Sequence, residues 1–525
     1  MRRNLAAMVV LSIVCRSLAD DSTNVAAKYW PQWRGPIATG VALHANPPVT
    51  WSESENIRWK IRLPGLGHST PVVWGDHIFV TSAEPFGDRL TPPPERDPEA
   101  HDNMPADRAQ RFVVRAINRK DGSIAWEKVL REEQPHEGVH DTGSWASGSP
   151  VTDGEHLFVS FGSRGLYCLT LAGELVWEKD LGEMQVRHGH GEGSSPALYK
   201  DTLIVNWDHQ GDSFIVALNK KTGKEIWRRK RDEITSWSSP LVVEVNGKPQ
   251  VIVAATNFVR GYDLATGETI WKCSGLSRNV CATPIVADGI AIVTNSYDWQ
   301  KMLAIKLADA KGDITDTPAV LWSRDKQTPY VPSPLIYDDH LYFTAHLRGI
   351  ITCVDVKTGQ TIFGPDRIPN LTEVFASPAA AAGRIYIPGR RGNIAVIKHD
   401  SKFKVQAVNK LDDTLGIPRH RRKRAVPTRR NVFVLHRSAE LSNIEKGGPG
   451  SPILGESMIH GAKNLQMDRR WNVPVDMRGL GLRIYVRAQI RWGALRHHSL
   501  RWVPVAISYS TGVGSSSCLG ERSVS

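Results

Sequence analysis

A unit of about 44 residues recurs through most of this 525-residue chain and constrains its fold more than any other feature. Each unit opens on a small residue followed by proline. After a wider first interval, successive openings lie 46, 44, 44, 50 and 44 residues apart. A fixed period of about 40 to 45 residues predicts tandem structural repeats. The openings fall at Pro71, Pro150, Pro196, Pro240, Pro284, Pro334 and Pro378.

Each repeat contains four short apolar segments separated by turn residues. The second unit reads GSPVTDGEHLFVSFGSRGLYCLTLAGELVWEKDLG, with turns at Asp153-Gly154 and Ala172-Gly173. Four short strands per period are typical of a β-propeller blade. We therefore predict an all-β, eight-bladed β-propeller with four antiparallel strands per blade, seven blades in frame and an incomplete closing blade.

An aromatic residue recurs in the fourth segment of the units. A ladder of this kind is typical of packing between neighbouring blades, so we assign it to the core and not to a cofactor site. Residues 56–65, NIRWKIRLPG, resemble a lone fourth segment and predict a strand that completes the last blade and closes the ring. The aromatic set comprises Trp59, Trp126, Trp177, Trp227, Trp271, Trp322 and Phe363.

The N-terminus has the features of a secretory signal peptide. Arg2 and Arg3 precede a short apolar core, and small residues end at Ala19. This pattern predicts a signal peptide of residues 1–19, cleaved near Ala19, and a periplasmic or secreted location. No run of about 20 apolar residues predicts a transmembrane helix, although peripheral association with the envelope stays open.

The remaining chain divides into three parts. The predicted domains are an N-terminal extension over residues 20–55, a propeller over 56–414 with a long exposed loop at 84–111, and a basic tail over 415–525. The tail holds 16 Arg and 3 Lys against 6 acidic residues, whereas the rest of the chain is almost electrically balanced. The net charge of +12 therefore does not indicate a nucleic-acid-binding surface on the propeller.

The tail begins where the eighth unit is expected. Back-translation of residues 416–437 with degenerate codons, shifted by one nucleotide, permits a product with the features of a blade opening. We therefore predict that residues 415–525 are a frameshift product with no fold of its own, disordered or irregular; the alternative is a native basic extension. A frameshift would leave the strand at 56–65 without partners and the seventh blade with an open edge.

The repeats resemble those of the PQQ-like β-propeller proteins. The resemblance covers residues 29–414; it is strongest in GSRGLYCLTLAGELVWEKDLG and VRGYDLATGETIWK, and YWPQWRGPIATGV is similar to the head of a secreted bacterial subgroup. This family includes quinoprotein alcohol dehydrogenases and a propeller lipoprotein of the outer-membrane β-barrel assembly machinery, which binds no quinone. The dehydrogenases hold PQQ with an adjacent cysteine pair, a calcium site and an aspartate base. No adjacent cysteine pair occurs in this chain, so we predict no cofactor firmly, and PQQ stays a possibility without that support.

The string HEGVH at 136–140 matches the spacing of zinc-protease ligands. That chemistry needs a helix to place both histidines on one face. Pro135 precedes the string, Gly138 interrupts it, and β-repeats flank it on both sides. We therefore interpret it as a connection between blades and keep a zinc hydrolase only as a remote alternative.

Connections that enter the innermost strands carry the candidate binding residues. Imidazoles, carboxylates and aromatic rings clustered near a central channel could bind a metal, a sugar or a peptide carboxylate. Alternatively, they satisfy backbone groups in the turns and fill the channel. No catalytic residue and no metal ligand is assigned. The candidates are His136, Glu137, His140, Trp145, His188, His190, Glu192, Trp237, Tyr330 and Phe375.

Together these features predict an exported propeller that acts as a binding or assembly module. Its partner would be a protein or a glycan, bound on a propeller face. We expect no nucleic-acid partner, and no complete catalytic set is evident. The alternative is a quinoprotein oxidoreductase that uses PQQ and calcium.

Overall fold

In the computed structural model of the protein, nearly all of the regular secondary structure is β-sheet. The structure describes residues 25–92 and 98–412, and the backbone of 431–436, 471–476 and 483–488. The predicted signal peptide, residues 1–19, lies outside the described residues. Short 3-10 turns lie at Gly162–Arg164, Arg187–Gly189 and Leu307–Asp309.

Seven four-stranded antiparallel sheets follow one another along the described chain, and we number them blades 1 to 7. Blade 1 contains Val72–Trp74, His77–Pro85, Gln110–Asn118 and Ile124–Glu133. Blade 2 contains Val151–Thr152, His156–Ser160, Leu166–Thr170 and Leu175–Lys179. Blade 3 contains Ala197–Tyr199, Thr202–Trp207, Phe214–Asn219 and Glu225–Lys230. Blade 4 contains Leu241–Val245, Lys248–Val253, Val259–Asp263 and Thr269–Cys273, with Gly312–Asp313 added in parallel.

The later blades repeat this order. Blade 5 contains Ile285–Ala287, Ile290–Ser296, Gln300–Lys306 and Val320–Arg324. Blade 6 contains Leu335–Tyr337, His340–Thr344, Ile350–Asp355 and Thr361–Arg367. Blade 7 contains Ala379–Ala381, Arg384–Pro388, Asn393–Lys398 and Val405–Lys410. The predicted all-β propeller of four-stranded antiparallel blades is confirmed, whereas an eighth blade stays a prediction.

Neighbouring blades pack face to face through apolar clusters. Phe79 of blade 1 shares one cluster with Val159 of blade 2, and Phe158 of blade 2 shares the next with Val205 of blade 3. Further clusters join blades 3 and 4, 4 and 5, 5 and 6, and 6 and 7. The core is therefore a series of layers between sheets, as expected when each repeat buries its faces only against its neighbours.

The fourth-strand tryptophans reach from one blade to the next. The indole Nε1 of Trp126 donates to the carbonyl of Leu171 at 2.9 Å, and its ring lies against Gly173 of the blade 2 turn. A Cβ on Gly173 would come within 2.8 Å of that ring, and its φ of +89° also favours glycine. The same arrangement pairs Trp59, Trp177, Trp227 and Trp322 with Gly122, Gly223, Gly267 and Gly359.

Two members of the aromatic set pack differently. Trp271 lies over Gly261 of its own blade, and its Nε1 donates to Gln250 Oε1 at 3.1 Å. It is fully buried, in the cluster between blades 4 and 5. Phe363 has no N–H to donate and packs against Phe403, with ring centroids 5.8 Å apart.

The small residue before each proline has a hydroxyl that links neighbouring blades. The backbone N–H of Ser149 donates to Ser195 Oγ at 2.9 Å, and the N–H of Ser195 donates to Ser239 Oγ at 2.9 Å. Six such bonds connect the seven blades, and we call them the hydroxyl relay. In order, the relay runs through Thr70, Ser149, Ser195, Ser239, Thr283, Ser333 and Ser377.

The N-terminal segment from Trp30 to Val41 contacts innermost strands of several blades. Trp30 pairs with Val73 of blade 1, and Val41 pairs with Ala380 of blade 7. Between them, the buried Arg34 donates to the carbonyls of Pro334 at 2.8 Å and Pro378 at 2.9 Å. This segment therefore crosses the centre of the ring and joins blades that are distant in sequence.

The strand Ile57–Leu63 lies between blades 7 and 1. Its Ile57 packs in a cluster with residues of blade 7, and its Trp59 and Leu63 pack with residues of blade 1. It pairs antiparallel with Asn431–His436. The expectation that a frameshift leaves this strand without a partner is therefore wrong for this chain, because residues beyond 414 supply one. The frameshift itself stays a prediction.

The chain divides into two compact units, residues 1–441 and 442–525. In the second unit, Trp471–Asp476 and Arg483–Ala488 form an antiparallel pair. Most of the predicted tail over 415–525 lies outside the described residues. Among the helices that the structure describes, none has the length and apolar character needed to cross a membrane.

Candidate functional site

The clearest cavity lies where the connections enter blades 2 and 3. Its volume is about 40 Å³, and its walls include His136, Glu137, Trp145 and Glu192. These four sequence-predicted residues therefore meet at one place. We call this cavity the inter-blade pocket. Trp237, another candidate, packs against the cluster between these blades and donates its Nε1 to the Gly191 carbonyl at 2.7 Å.

Both ring nitrogens of His136 in the inter-blade pocket are hydrogen-bonded. Nε2 donates to the Met184 carbonyl at 2.7 Å, and Nδ1 accepts from the Arg164 guanidinium at 2.6 Å. Burial lowers the pKa of His136, with the nearby Arg164 acting in the same direction. Arg164 also contacts Glu133 at 2.7 Å and Glu183 at 2.9 Å. His136 is thus a neutral imidazole held by a network of charges.

The Glu192 side chain packs against the 3-10 turn Gly162–Arg164, which precedes the third strand of blade 2. Its carboxylate accepts from the Ser163 N–H at 2.6 Å and from the Ser163 hydroxyl at 2.5 Å. Burial raises the pKa of Glu192 to about 7, although these hydrogen bonds oppose the rise. A Cβ on Gly162 would overlap the Glu192 carboxylate, so this position needs glycine.

The inter-blade pocket does not have the chemistry of a zinc-protease site. His136, Glu137 and Glu192 each offer a ligand atom, and these atoms lie within 4.8 Å of one another. However, the lone pair of His136 Nδ1 already accepts from the cation of Arg164, which would also repel a metal ion. The residues Val139–His140 form a short strand and no helix, so the two histidines of HEGVH do not share a helical face.

Four imidazoles form a second group, which we call the imidazole cluster. His140 lies 4.5 Å from His190 between ring centroids, and His188 lies 5.3 Å from His190. The fourth member is His101, 4.6 Å from His188 and 4.9 Å from His190. Burial lowers the pKa values of His140, His188 and His190, the last to about 4.

Sequence reasoning missed His101 because it lies in the long loop of blade 1. That loop is fixed to the connections of blades 2 and 3. Asn103–Met104 pairs with Val139–His140, and the Asn103 side chain donates to the carbonyls of His188 at 2.7 Å and Gly189 at 2.8 Å. The long interval between the second and third strands of blade 1 predicted a loop but not where it would dock.

Two candidates lie elsewhere on the ring. Tyr330 stacks on His346, with centroids 5.3 Å apart, and contacts Tyr297. Phe375 lies under the guanidinium of Arg390, 5.2 Å from its ring centroid. The structure therefore distributes the ten predicted residues over the inter-blade pocket, the imidazole cluster and these two separate positions.

The inter-blade pocket also does not fit a bound quinone. Its volume of about 40 Å³ holds a few water molecules, whereas organic ligands of drug size occupy pockets of roughly 300 to 1,000 Å³. Among the residues described, Cys168, Cys273, Cys281 and Cys353 are all free thiols, so none forms an adjacent-cysteine disulfide.

Comparisons with known proteins agree with the repeat pattern. Residues 110–365 match the family model described as outer membrane protein assembly factor BamB. A BamB from Francisella salina is 32% identical over 110 residues, which are 21% of this chain and 19% of that protein. Tetrathionate hydrolase from Acidithiobacillus ferrooxidans is 22% identical over 380 residues, which are 64% of this chain and 67% of that protein.

Among solved structures, a europium-containing methanol dehydrogenase has a TM-score of 0.45 and 10% identity. That likeness covers 72% of this chain and 91% of the dehydrogenase. The family match runs from the third strand of blade 1 to the fourth strand of blade 6, a stretch in which the four-strand unit, the turn glycines and the aromatic ladder recur. Residues 110–365 therefore form a BamB-like repeat domain of the PQQ type.

Proposed function

We propose that this protein is an exported propeller that binds another protein, as an assembly factor does, and carries out no redox reaction of its own. The observation that carries the proposal is the exposed apolar surface on the outer strands of consecutive blades. In blade 3, Ile226 is 49% exposed, and in blade 2, Leu175 is 45% exposed. Further exposed apolar residues on outer strands are Ile124, Val129, Val176 and Leu321.

These residues lie on strands that form the outer edges of their sheets. An outer strand presents unpaired backbone N–H and C=O groups, and an extended segment of a partner can add to such an edge. Apolar side chains beside the edge would strengthen that contact, because their burial contributes about 25 cal/mol per Å². The match of residues 110–365 to the family model described as outer membrane protein assembly factor BamB supports a role in assembly.

The predicted signal peptide supports an extracytoplasmic location for this activity. With residues 1–19 removed, the propeller would act in the periplasm or outside the cell. The alternative partner is a glycan, which would bind on the face that carries the imidazole cluster.

The proposal can be tested by photo-cross-linking in the native envelope. A photoreactive phenylalanine analogue at Ile226 or Leu175 should yield an adduct with the same defined protein, because both lie on the proposed surface. Lys357, an exposed turn residue of blade 6, is the control and should yield no such adduct. Absence of any protein adduct at both apolar positions would refute the protein-binding proposal, and a glycan array would then test the alternative.

A second assay separates binding from catalysis. Purified protein is incubated with PQQ and Ca²⁺, and quinone absorbance and dye-linked alcohol oxidation are measured; hydrolysis of tetrathionate is measured in parallel. We expect no turnover in either assay, because the inter-blade pocket is too small for a quinone and no catalytic set surrounds it. Turnover with PQQ would favour the quinoprotein alternative, and loss of tetrathionate would favour a hydrolase.

A further inference from the structure

The imidazole cluster has features of a site for a transition-metal ion. His101, His188 and His190 come from two separate connections, the long loop of blade 1 and the connection into blade 3. Their ring centroids lie 4.6 to 5.3 Å apart. Two imidazoles that bind one ion at about 2.1 Å, with a near-tetrahedral angle, have centroids about 5 Å apart. The ring centres are therefore about as far apart as those of imidazoles that bind one ion.

Hydrogen bonds leave one ring nitrogen of each of these histidines available. His188 Nδ1 lies 3.2 Å from the Glu99 carbonyl, and His190 Nε2 lies 3.2 Å from the His101 carbonyl. His101 Nδ1 lies 3.4 Å from a carboxylate oxygen of Asp102. Metal-binding histidines usually donate their second ring N–H to a carbonyl or carboxylate in this way.

The remaining nitrogens are His101 Nε2, His188 Nε2 and His190 Nδ1. His188 Nε2 is buried and has no hydrogen-bond partner among the described residues. A buried ring nitrogen without a partner costs free energy unless a ligand satisfies it. This unsatisfied nitrogen therefore points to a ligand at the imidazole cluster, independently of the ring spacing.

His140 touches the cluster but has a different hydrogen-bond pattern. Its Nδ1 accepts from the Thr142 N–H at 3.1 Å, so its proton lies on Nε2 and neither nitrogen offers a lone pair. Its side chain therefore contacts His190 without being a ligand. His140 is a matched control for the other three.

We propose that His101, His188 and His190 bind one Zn²⁺ or Cu²⁺ ion. Imidazole is a preferred ligand for both ions. The three available nitrogens do not lie within 4.8 Å of one another, so binding would require small shifts of the three side chains that keep their second ring nitrogens hydrogen-bonded. Because His101 comes from the long loop, the ion would also tie that loop to the connection into blade 3. This proposal is independent of the protein-binding role.

The test is calorimetric titration of the purified full-length chain with Zn²⁺ alone and with Cu²⁺ alone. We expect one ion per chain, and Co²⁺ bound in its place should give the visible ligand-field (d–d) bands typical of tetrahedral coordination. H188Q and H101Q should each weaken binding at least tenfold. H140Q and H136Q should change it less than twofold, and H136Q also tests the zinc alternative at HEGVH.

His101 is an exposed loop residue, so H101Q keeps the test valid if H188Q does not fold. Two results would overturn the proposal. One is the absence of binding of either ion by the unmodified chain. The other is a loss in H140Q or H136Q as large as the loss in H101Q.

Discussion

The hydroxyl relay gives the most direct prediction about stability. In S195A, the buried N–H of Ser149 loses its acceptor, the Ser195 hydroxyl at 2.9 Å. Ser149 is 1% exposed and Ser195 is 4% exposed, so water does not replace the lost bond without structural change. A buried donor left without a partner costs about 1 to 3 kcal/mol. Serine and alanine differ little in volume, so packing contributes little to this cost.

The effect should appear at one backbone amide. A cost of about 1 to 3 kcal/mol corresponds to roughly 5- to 150-fold faster exchange if opening of that bond limits exchange. Hydrogen–deuterium exchange with mass spectrometry on the peptide that contains Ser149 measures it directly. A peptide from the fourth strand of blade 6, Thr361–Arg367, is the internal reference and should not change.

S195T is the matched control, because threonine keeps the hydroxyl. Thr283 fills the equivalent position before blade 5 in this chain, where its Oγ1 accepts from the N–H of Ser239. We expect S195T to restore slow exchange at Ser149. Unchanged exchange in S195A would refute the idea that the hydroxyl relay holds neighbouring blades together.

Three further predictions concern other parts of the molecule. The pKa of Glu192 is raised to about 7, so between pH 4.5, near the unfolded pKa, and pH 7 the folded state binds a proton that the unfolded state has lost. The free energy of unfolding should therefore fall as pH rises through this window, by up to about 3 kcal/mol. Thermal melts of E192Q should not show this contribution to the pH dependence. W126F removes the indole N–H, with its bond to the Leu171 carbonyl, and part of the packed ring, so it should destabilise the chain by at least about 0.5 to 1.5 kcal/mol in denaturant unfolding, whereas W299F, at a residue that is 54% exposed, should cost less. A chain with the frame corrected from residue 415 should melt at a higher temperature than this one if the tail is a frameshift product; equal melting temperatures would contradict that prediction.

The fold was predictable because each repeat carries several agreeing signals. Turn glycines, the small residue before proline and the fourth-strand aromatic recur at one period, and each has a local physical cause. Gly173, for example, is required both by its positive φ and by the ring of Trp126. Trp271 departs from the ladder in blade 4, where its strand pairs with the added strand Gly312–Asp313, and no repeat pattern predicts that strand.

The site was less predictable because it depends on segments outside the repeats. The connections identified His136, Glu192 and their neighbours as a group, since equivalent connections meet near the axis of a propeller. Docking of the blade 1 loop, which brings His101 to His188, depends on contacts between residues about 87 positions apart and has no local signature. The pairing of Ile57–Leu63 with Asn431–His436 was missed for a different reason, because the residues after 414 were interpreted as a frameshift product without strands.

The central claim is that the blades surround one axis and that the N-terminal segment joins blade 1 to blade 7. A disulfide trap tests it most directly. Val41 and Ala380 pair across 339 residues of sequence, so V41C/A380C should form an intramolecular disulfide under mild oxidation, identified by peptide mass spectrometry. V41C with A287C, in blade 5, is the control and should remain reduced. Failure of the first pair to cross-link, or equal cross-linking of both pairs, would contradict this arrangement.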